Sequence, residues 1–415
     1  MLIRTVKSNP QGWIVVGVCF LALSVISATR ASLGLIMTEL ETDLGWSRGF
    51  VSSIAAGALI VMALTSPFIG NLLDRHGPRM IITLGLVITG VGLVLTSMVT
   101  AKWHYLLSYA LLAGIGFAVV GKSIVSATIA IYFTRNRGLA VGIGSSGSTA
   151  GHLALLPALA AVLELLGWRY GYIFLGIASF ALVPVAWILL RGSKIDNVKT
   201  VDAEPALTLS AKLRYLFRDR TYLALLGSYT ICGFTTAGVV ETHLLPYAEF
   251  CGIPRPTGAL AFGVLAVFNM VGMATAGYLA DRMNRPVLLA SIYILRGFSF
   301  FILMLIPAYD VSLLFIFAVV FGLFDYSTIP VTTSLVASHL GLKVIGLAIG
   351  ILGMFHAFGG AAGAFMGGYV YDLFNNYDWT WIAAIALAMV AGIMALTIRE
   401  RRDDAELGEP LPAAG

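Results

Sequence analysis

Residues 70–79 read GNLLDRHGPR, and residues 277–286 read GYLADRMNRP. Both spell Gly-x-x-x-Asp-Arg, 207 positions apart, and each follows an apolar run. A second pair repeats nearly the same offset. GLAVGIG at 138–144 returns as GLAIGIL at 346–352, 208 positions on. Two anchors at one offset mean that the chain holds two copies of one arrangement.

The composition says what is being copied. Hydrophobic residues make up 59% of the 415 positions and charged residues 11%. Mean hydropathy is +0.90. A soluble domain carries about 25% charged residues, so this chain cannot clothe a soluble surface. A helix that crosses a bilayer needs roughly 20 apolar residues. Twelve such runs are predicted, over 12–38, 49–72, 79–100, 104–133, 138–165, 169–191, 221–247, 257–280, 286–306, 311–337, 344–372 and 379–398. Residues 1–30 have a basic start and an apolar middle, as a signal peptide does. The charge map below needs them retained as the first span. The expected fold class is an all-α membrane protein, with twelve transmembrane helices in two pseudo-symmetric six-helix bundles.

The domain boundaries follow. Residues 1–191 form an N-terminal bundle and 221–398 a C-terminal bundle. The polar stretch 192–220 is a linker and 399–415 a tail. Lysine and arginine set the orientation. With the N-terminus inside, 19 lie on the cytoplasmic side, and Arg48, Lys102, Arg169 and Arg255 lie outside. Arg30, Lys122 and Arg296 fall within spans. Both termini are therefore expected in the cytoplasm, with the chain in a bacterial inner membrane. Cys19, Cys232 and Cys251 have neither disulfide nor metal-site spacing. No nucleotide, nucleophile-elbow or metalloprotease motif occurs. No metal, cofactor, nucleic acid or enzymatic activity is expected, and the partners are the bilayer, a small solute and protons.

Twelve spans, a long central linker and the doubled Gly-x-x-x-Asp-Arg loop resemble the major facilitator superfamily. The resemblance covers nearly the whole chain. It implies alternating access, and gating at the paired loops by Gly70, Asp74, Arg75 and Arg79 and by Gly277, Asp281 and Arg282. A plainer reading of the arginines is positive-inside charge in a tight turn. GWSRGFVSS (45–53), YFTRNRGLAVGIGSSGSTAG (132–151) and GFTTAGVVETHLLPYA (233–248) resemble the monocarboxylate and oxalate–formate branch. That branch often has an arginine four residues before the second loop glycine and an acid four residues earlier. Here those positions are Met273 and Asn269, so the substrate does not carry over directly.

The charges inside spans carry the chemistry. Lys122 lies about 16 Å along the fourth helix from its cytoplasmic end, near the centre of a core about 30 Å thick. Such a charge costs roughly 2.5–3.5 kcal/mol on insertion scales, so it is expected to bind the substrate anion. Ser126 lies one turn away on the same face. Arg30, in the first span, adds a second cation; the alternative is snorkelling to the interface. Arg296 and Asp325 fall at matching depths on neighbouring spans and are expected to form a structural ion pair.

Polar stripes suggest further contacts. Ser145, Ser148, Thr149 and His152 share one face of the fifth span; Ser148 and His152 are substrate candidates. Tyr229, Gly233, Thr236, Val240 and His243 share one face of the seventh. On a regular helix Glu241 points about 200° from His243, so His243 is expected in the cavity and Glu241 at the rim. His356 in the eleventh span completes the substrate set. His152, His243, His356, Glu241 and Asp325 are the candidates for proton coupling. The expected function is secondary uptake of a small organic anion, a monocarboxylate with a proton, by a monomer. Alternatives are a di- or tricarboxylate or aromatic-acid carrier, an anion exchanger, a drug exporter, or a non-transporting sensor.

Overall fold

The computed structural model describes residues 9–46, 48–190, 208–306 and 311–401. Among them are twelve helices long and apolar enough to span a bilayer. In the first half they are α1 (Pro10–Met37), α2 (Ser53–His76), α3 (Pro78–Ser97), α4 (Lys102–Tyr132), α5 (Arg137–Leu166) and α6 (Trp168–Leu189). In the second they are α7 (Arg220–Phe250), α8 (Thr257–Ala280), α9 (Arg285–Leu305), α10 (Ser312–Leu340), α11 (Leu342–Tyr371) and α12 (Asp378–Leu396). No strand occurs among the described residues. Helices are the expected solution, since lipid offers backbone amides no partner.

Local residues fix where helices start. Pro78 opens α3 after Gly77, whose φ of 78° lets the chain reverse at once. Asn284 caps α9 by accepting from the Val287 amide at 3.1 Å, and Asp219 caps α7 through the Tyr222 amide at 2.7 Å. Some boundaries differ from the sequence expectation. The α1 helix continues past the apolar run to Leu44, where Gly45 in the left-handed region ends it. The linker is not all irregular: Leu209–Arg218 is a helix. Residues 192–207 and 402–415 lie outside the described residues.

The two bundles meet closely at the end that carries the Gly-x-x-x-Asp-Arg loops. There α2 packs on α11 and α5 on α8. A Cβ on Gly70 would lie 2.0 Å from the Gly346 carbonyl oxygen, and one on Gly277 would lie 2.2 Å from that of Gly138. Only glycine permits this approach. The Asp74 carboxylate accepts the amides of Gly346 at 2.7 Å and Leu347 at 3.1 Å. Asp281 accepts those of Gly138 at 2.8 Å and Leu139 at 2.9 Å. Each loop aspartate thus caps the start of a helix in the opposite bundle, where free N–H groups and the helix dipole favour an anion. Among the described glycines, none meets the other bundle farther from this end than Gly353, which reaches Ser123.

Arg79 and Arg282 also make contacts within their own bundles. Arg79 donates from Nε to the Trp187 carbonyl at 2.9 Å and stacks on that ring at 3.8 Å, tying α3 to α6 of its own bundle. Arg282 donates to the Tyr278 carbonyl at 3.1 Å and covers that ring. Both aspartates accept cross-bundle bonds at these loops.

Candidate functional site

The fourth helix of each bundle breaks near mid-membrane. In α4 the break is Val120–Gly121, between helices Gly114–Val119 and Lys122–Tyr132. In α10 it is Tyr326–Ser327, between Ser312–Asp325 and Thr328–Leu340. Gly121 and Ser327 are 206 positions apart, so the internal repeat extends to the breaks. Lys122 is the first residue of its half-helix. An ammonium and a first turn of unsatisfied amides thus coincide, an arrangement suited to an anion.

The charge of Lys122 is answered from the other bundle. Its Nζ lies 3.2 Å from the centroid of the Tyr326 ring, a cation–π contact. The Tyr326 hydroxyl donates to Glu241 Oε1 at 2.5 Å. Arg30 lies within electrostatic reach of Lys122, Glu241 and Tyr326. Arg30 and Glu241 are exposed and Lys122 is half-buried, although all three lie deep in spans. They line the solvent-reached space between the bundles.

This placement corrects the expectation for α7. Glu241 faces the space between bundles, whereas His243 is 7% exposed and lies between α7 and α11. The His243 Nε2 meets the Ala364 carbonyl at 2.9 Å, and its ring centroid is 5.8 Å from that of Tyr377. The cause is a π-helical stretch, Phe234–Val240. Wider turns delay each later residue around the axis, so a face extrapolated at 3.6 residues per turn from Tyr229 fails beyond Val240.

The expected Arg296–Asp325 ion pair is likewise not made between the side chains. Arg296 is fully buried. Its Nη1 donates to Cys232 Sγ and Thr236 Oγ1, each at 3.1 Å, and reaches only the main-chain oxygen of Asp325, at 3.5 Å. The Asp325 carboxylate accepts instead from Asn269 Nδ2 at 3.0 Å. Asn269 also accepts the Tyr326 amide at 3.3 Å. Matching depth brought the two residues to one level, but the break after Asp325 turns its side chain toward α8. Cys232, Asn269 and Tyr326 are therefore parts of this region that sequence reasoning missed, whereas Thr236 lay on the polar face read for the seventh span. Neutral residues in apolar helices give no signal; Asn269 alone stood out, as a polar residue at a position where the branch has an acid.

The remaining candidates divide. Ser126 and Ser148 are 1% exposed and spend their hydroxyls on the carbonyls of Ser123 at 2.9 Å and Ser145 at 3.0 Å. That is ordinary back-bonding within a helix. His152 is exposed, and its Nε2 lies 3.1 Å from the Ser27 carbonyl of α1. An N–H at Nε2 leaves Nδ1 available as an acceptor. His356 is half-buried and its ring sits 4.9 Å from that of Tyr229. No cluster of metal-ligating side chains occurs among the described residues.

Twelve spans, a paired latch and charged groups at mid-depth define a membrane transporter. Residues 19–340 and 252–414 match the Major Facilitator Superfamily model, and the chain belongs to that family. It is 29% identical over 379 residues to monocarboxylate transporter 11 of Mus musculus, covering 89% of this chain and 83% of that one. Monocarboxylate transporter 13 of Rattus norvegicus is 26% identical, with 93% and 89% covered. The MFS-type transporter YcxA of Bacillus subtilis (strain 168) is 25% identical, with 92% and 94% covered. Among solved structures, the human organic anion transporter MFSD10 superposes with a TM-score of 0.74 at 17% identity, covering 92% of this chain and 99% of that one. The E. coli fucose:proton symporter FucP in its outward conformation gives 0.71 at 16%, covering 91% and 97%. These relatives are transporters, and the resemblance read from the sequence to the monocarboxylate branch agrees with them.

Proposed function

We propose that this carrier takes up a small monocarboxylate together with a proton, across a bacterial inner membrane with both termini in the cytoplasm. The observation that carries the reading is Lys122. It begins a half-helix at mid-depth, and Tyr326 and Glu241 of the opposite bundle hold its charge. A substrate carboxylate would meet the ammonium and the first-turn amides together, with Arg30 as a second cation.

Proton coupling follows from charge. In the empty site Glu241 balances Lys122 through the tyrosine. A bound carboxylate takes over that role, and a second anion there is repelled. Glu241 then takes up a proton, and the loaded site carries no added charge while the bundles rock. The shut loop end faces the cytoplasm in this orientation, so the state is outward-facing, with Asp74 and Asp281 as the gate. Arg30 is the feature that favours the second reading, a dicarboxylate carrier.

The test is uptake in proteoliposomes against a panel of mono-, di- and tricarboxylates and organic cations, with and without an imposed proton gradient. Glu241→Gln should abolish gradient-driven accumulation and leave substrate exchange. If cations alone are carried, or if Glu241→Gln still accumulates substrate, the reading fails.

A further inference from the structure

The helix Leu209–Arg218 joins the bundles, yet one of its residues belongs to the latch. Lys212 is 5% exposed, while Arg214 and Arg218 on the same helix are exposed. The Lys212 ammonium donates to Asn71 Oδ1 at 3.1 Å and lies 3.5 Å from Asp74 Oδ2. The Asp74 side chain is 1% exposed and already accepts two amides of α11. One carboxylate therefore ties together α2, α11 and the connecting helix. The seat of that helix is built in: Thr208 caps it through the Ala211 amide at 3.3 Å, and Leu216 is fully buried.

The second latch is made differently. The charged groups near Asp281 are Arg282 and Arg137, which belong to the bundles it joins. Among the described residues, no hydrogen bond or ion pair joins the connecting helix to Asp281. The pseudo-symmetry of the bundles is thus broken at Asp74 by a residue from outside both.

We infer that Lys212 is a positioning residue of the transport cycle: it neutralises Asp74 and fixes both its oxygens on the start of α11 while this end is shut. A buried ammonium and carboxylate attract strongly only while water is excluded. When α2 and α11 part, Asp74 meets water and the attraction falls. Lys212 therefore stabilises the shut state selectively, and the connection between bundles helps set which way the carrier faces.

The test reads conformation directly and needs no substrate. Nitroxides at His76 and Val287, exposed sites on opposite bundles at this end, report their separation by pulsed electron resonance. The background is Cys251→Ser, since Cys19 and Cys232 are buried. Lys212→Gln should raise the separated population about tenfold, the low end for a hydrogen bond to a charged group. Lys212→Arg should restore the shut population. Asp74→Asn should give the same shift, and adding Lys212→Gln to it should add nothing. An unchanged distribution in Lys212→Gln, or a further shift on top of Asp74→Asn, would overturn the inference. If Lys212→Gln does not fold, Asn71→Asp serves. It gives the ammonium a second carboxylate and should favour the shut state, and an unchanged distribution there is equally fatal.

Discussion

Lys122 and Tyr326 make one unit from two bundles, and single substitutions take it apart. Lys122→Ala removes the cation and leaves a small apolar residue, so the protein should still insert and fold. Loss of a buried charge partner costs about 2–5 kcal/mol in binding, so calorimetry should show carboxylate affinity reduced by at least about thirtyfold. Unchanged affinity would make the lysine a packing residue. Tyr326→Phe keeps the ring under the ammonium but loses the bond to Glu241. It should retain exchange and lose most gradient-driven accumulation, whereas Tyr326→Leu should impair both; equal effects in the two variants would contradict separate roles for ring and hydroxyl. Lys122 was legible in the sequence because a cation in an apolar run is costly. Tyr326 was not, because tyrosine is common in spans and its value lies in what crosses from the other bundle. The Arg296–Asp325 expectation erred for a related reason: depth can be counted along helices, but side-chain direction across a helix break cannot.

At the scale of elements, hydropathy and the doubled loops gave the spans, the repeat and the two bundles. What they missed were departures from the regular helix. The π-helical stretch in α7 exchanged the roles of Glu241 and His243, and it lies where Gly233, Gly238, Gly360 and Gly363 let the α7 and α11 backbones meet. The linker helix was hidden in a polar segment, although Leu209, Leu213 and Leu216 fall at helical spacing. The latch elements also carry a pH response. Burial pushes the Asp281 carboxyl above the usual range, only partly offset by the amides of Leu139 and Gly138 and by Arg282 and Arg137. A parted latch would return it to water and to its ordinary value. The shut state then binds more protons at a given pH, so acid favours it and the preference fades as pH rises through the raised value. Separation at this end, read as above, should decrease from neutral pH toward about pH 5. Asp281→Asn should reduce that slope. A slope of opposite sign, or one unaffected by Asp281→Asn, would place the titrating group elsewhere.

At the scale of the whole molecule, alternating access demands that one end shut completely without holding shut too firmly. This chain shuts it with backbone on backbone. The approach of Gly70 to Gly346 and of Gly138 to Gly277 leaves no room for a methyl group, and the two aspartates can reach their amides only at that separation. Steric fit and hydrogen bonding are thus a single condition, met or lost together. Gly70→Ala should break it, because the added carbon would meet carbonyl oxygen rather than the tip of a flexible side chain. Alanine also suits a helix interior better than glycine by about 1 kcal/mol, so α2 itself should not suffer. The expected result is a folded protein held with this end apart. Nitroxides at His76 and Val287 should report mainly the separated population, and net uptake should fall at least about tenfold, since a closing cost of 1.4 kcal/mol already gives that factor. Binding of the carboxylate should persist, because Lys122, Tyr326 and Glu241 lie away from the clash. Gly34→Ala is the control: a Cβ there meets nothing within 4 Å, and it should transport normally. If Gly70→Ala transports as well as Gly34→Ala, the backbone contact is not the gate, and the shutting of this end must rest on the aspartates alone.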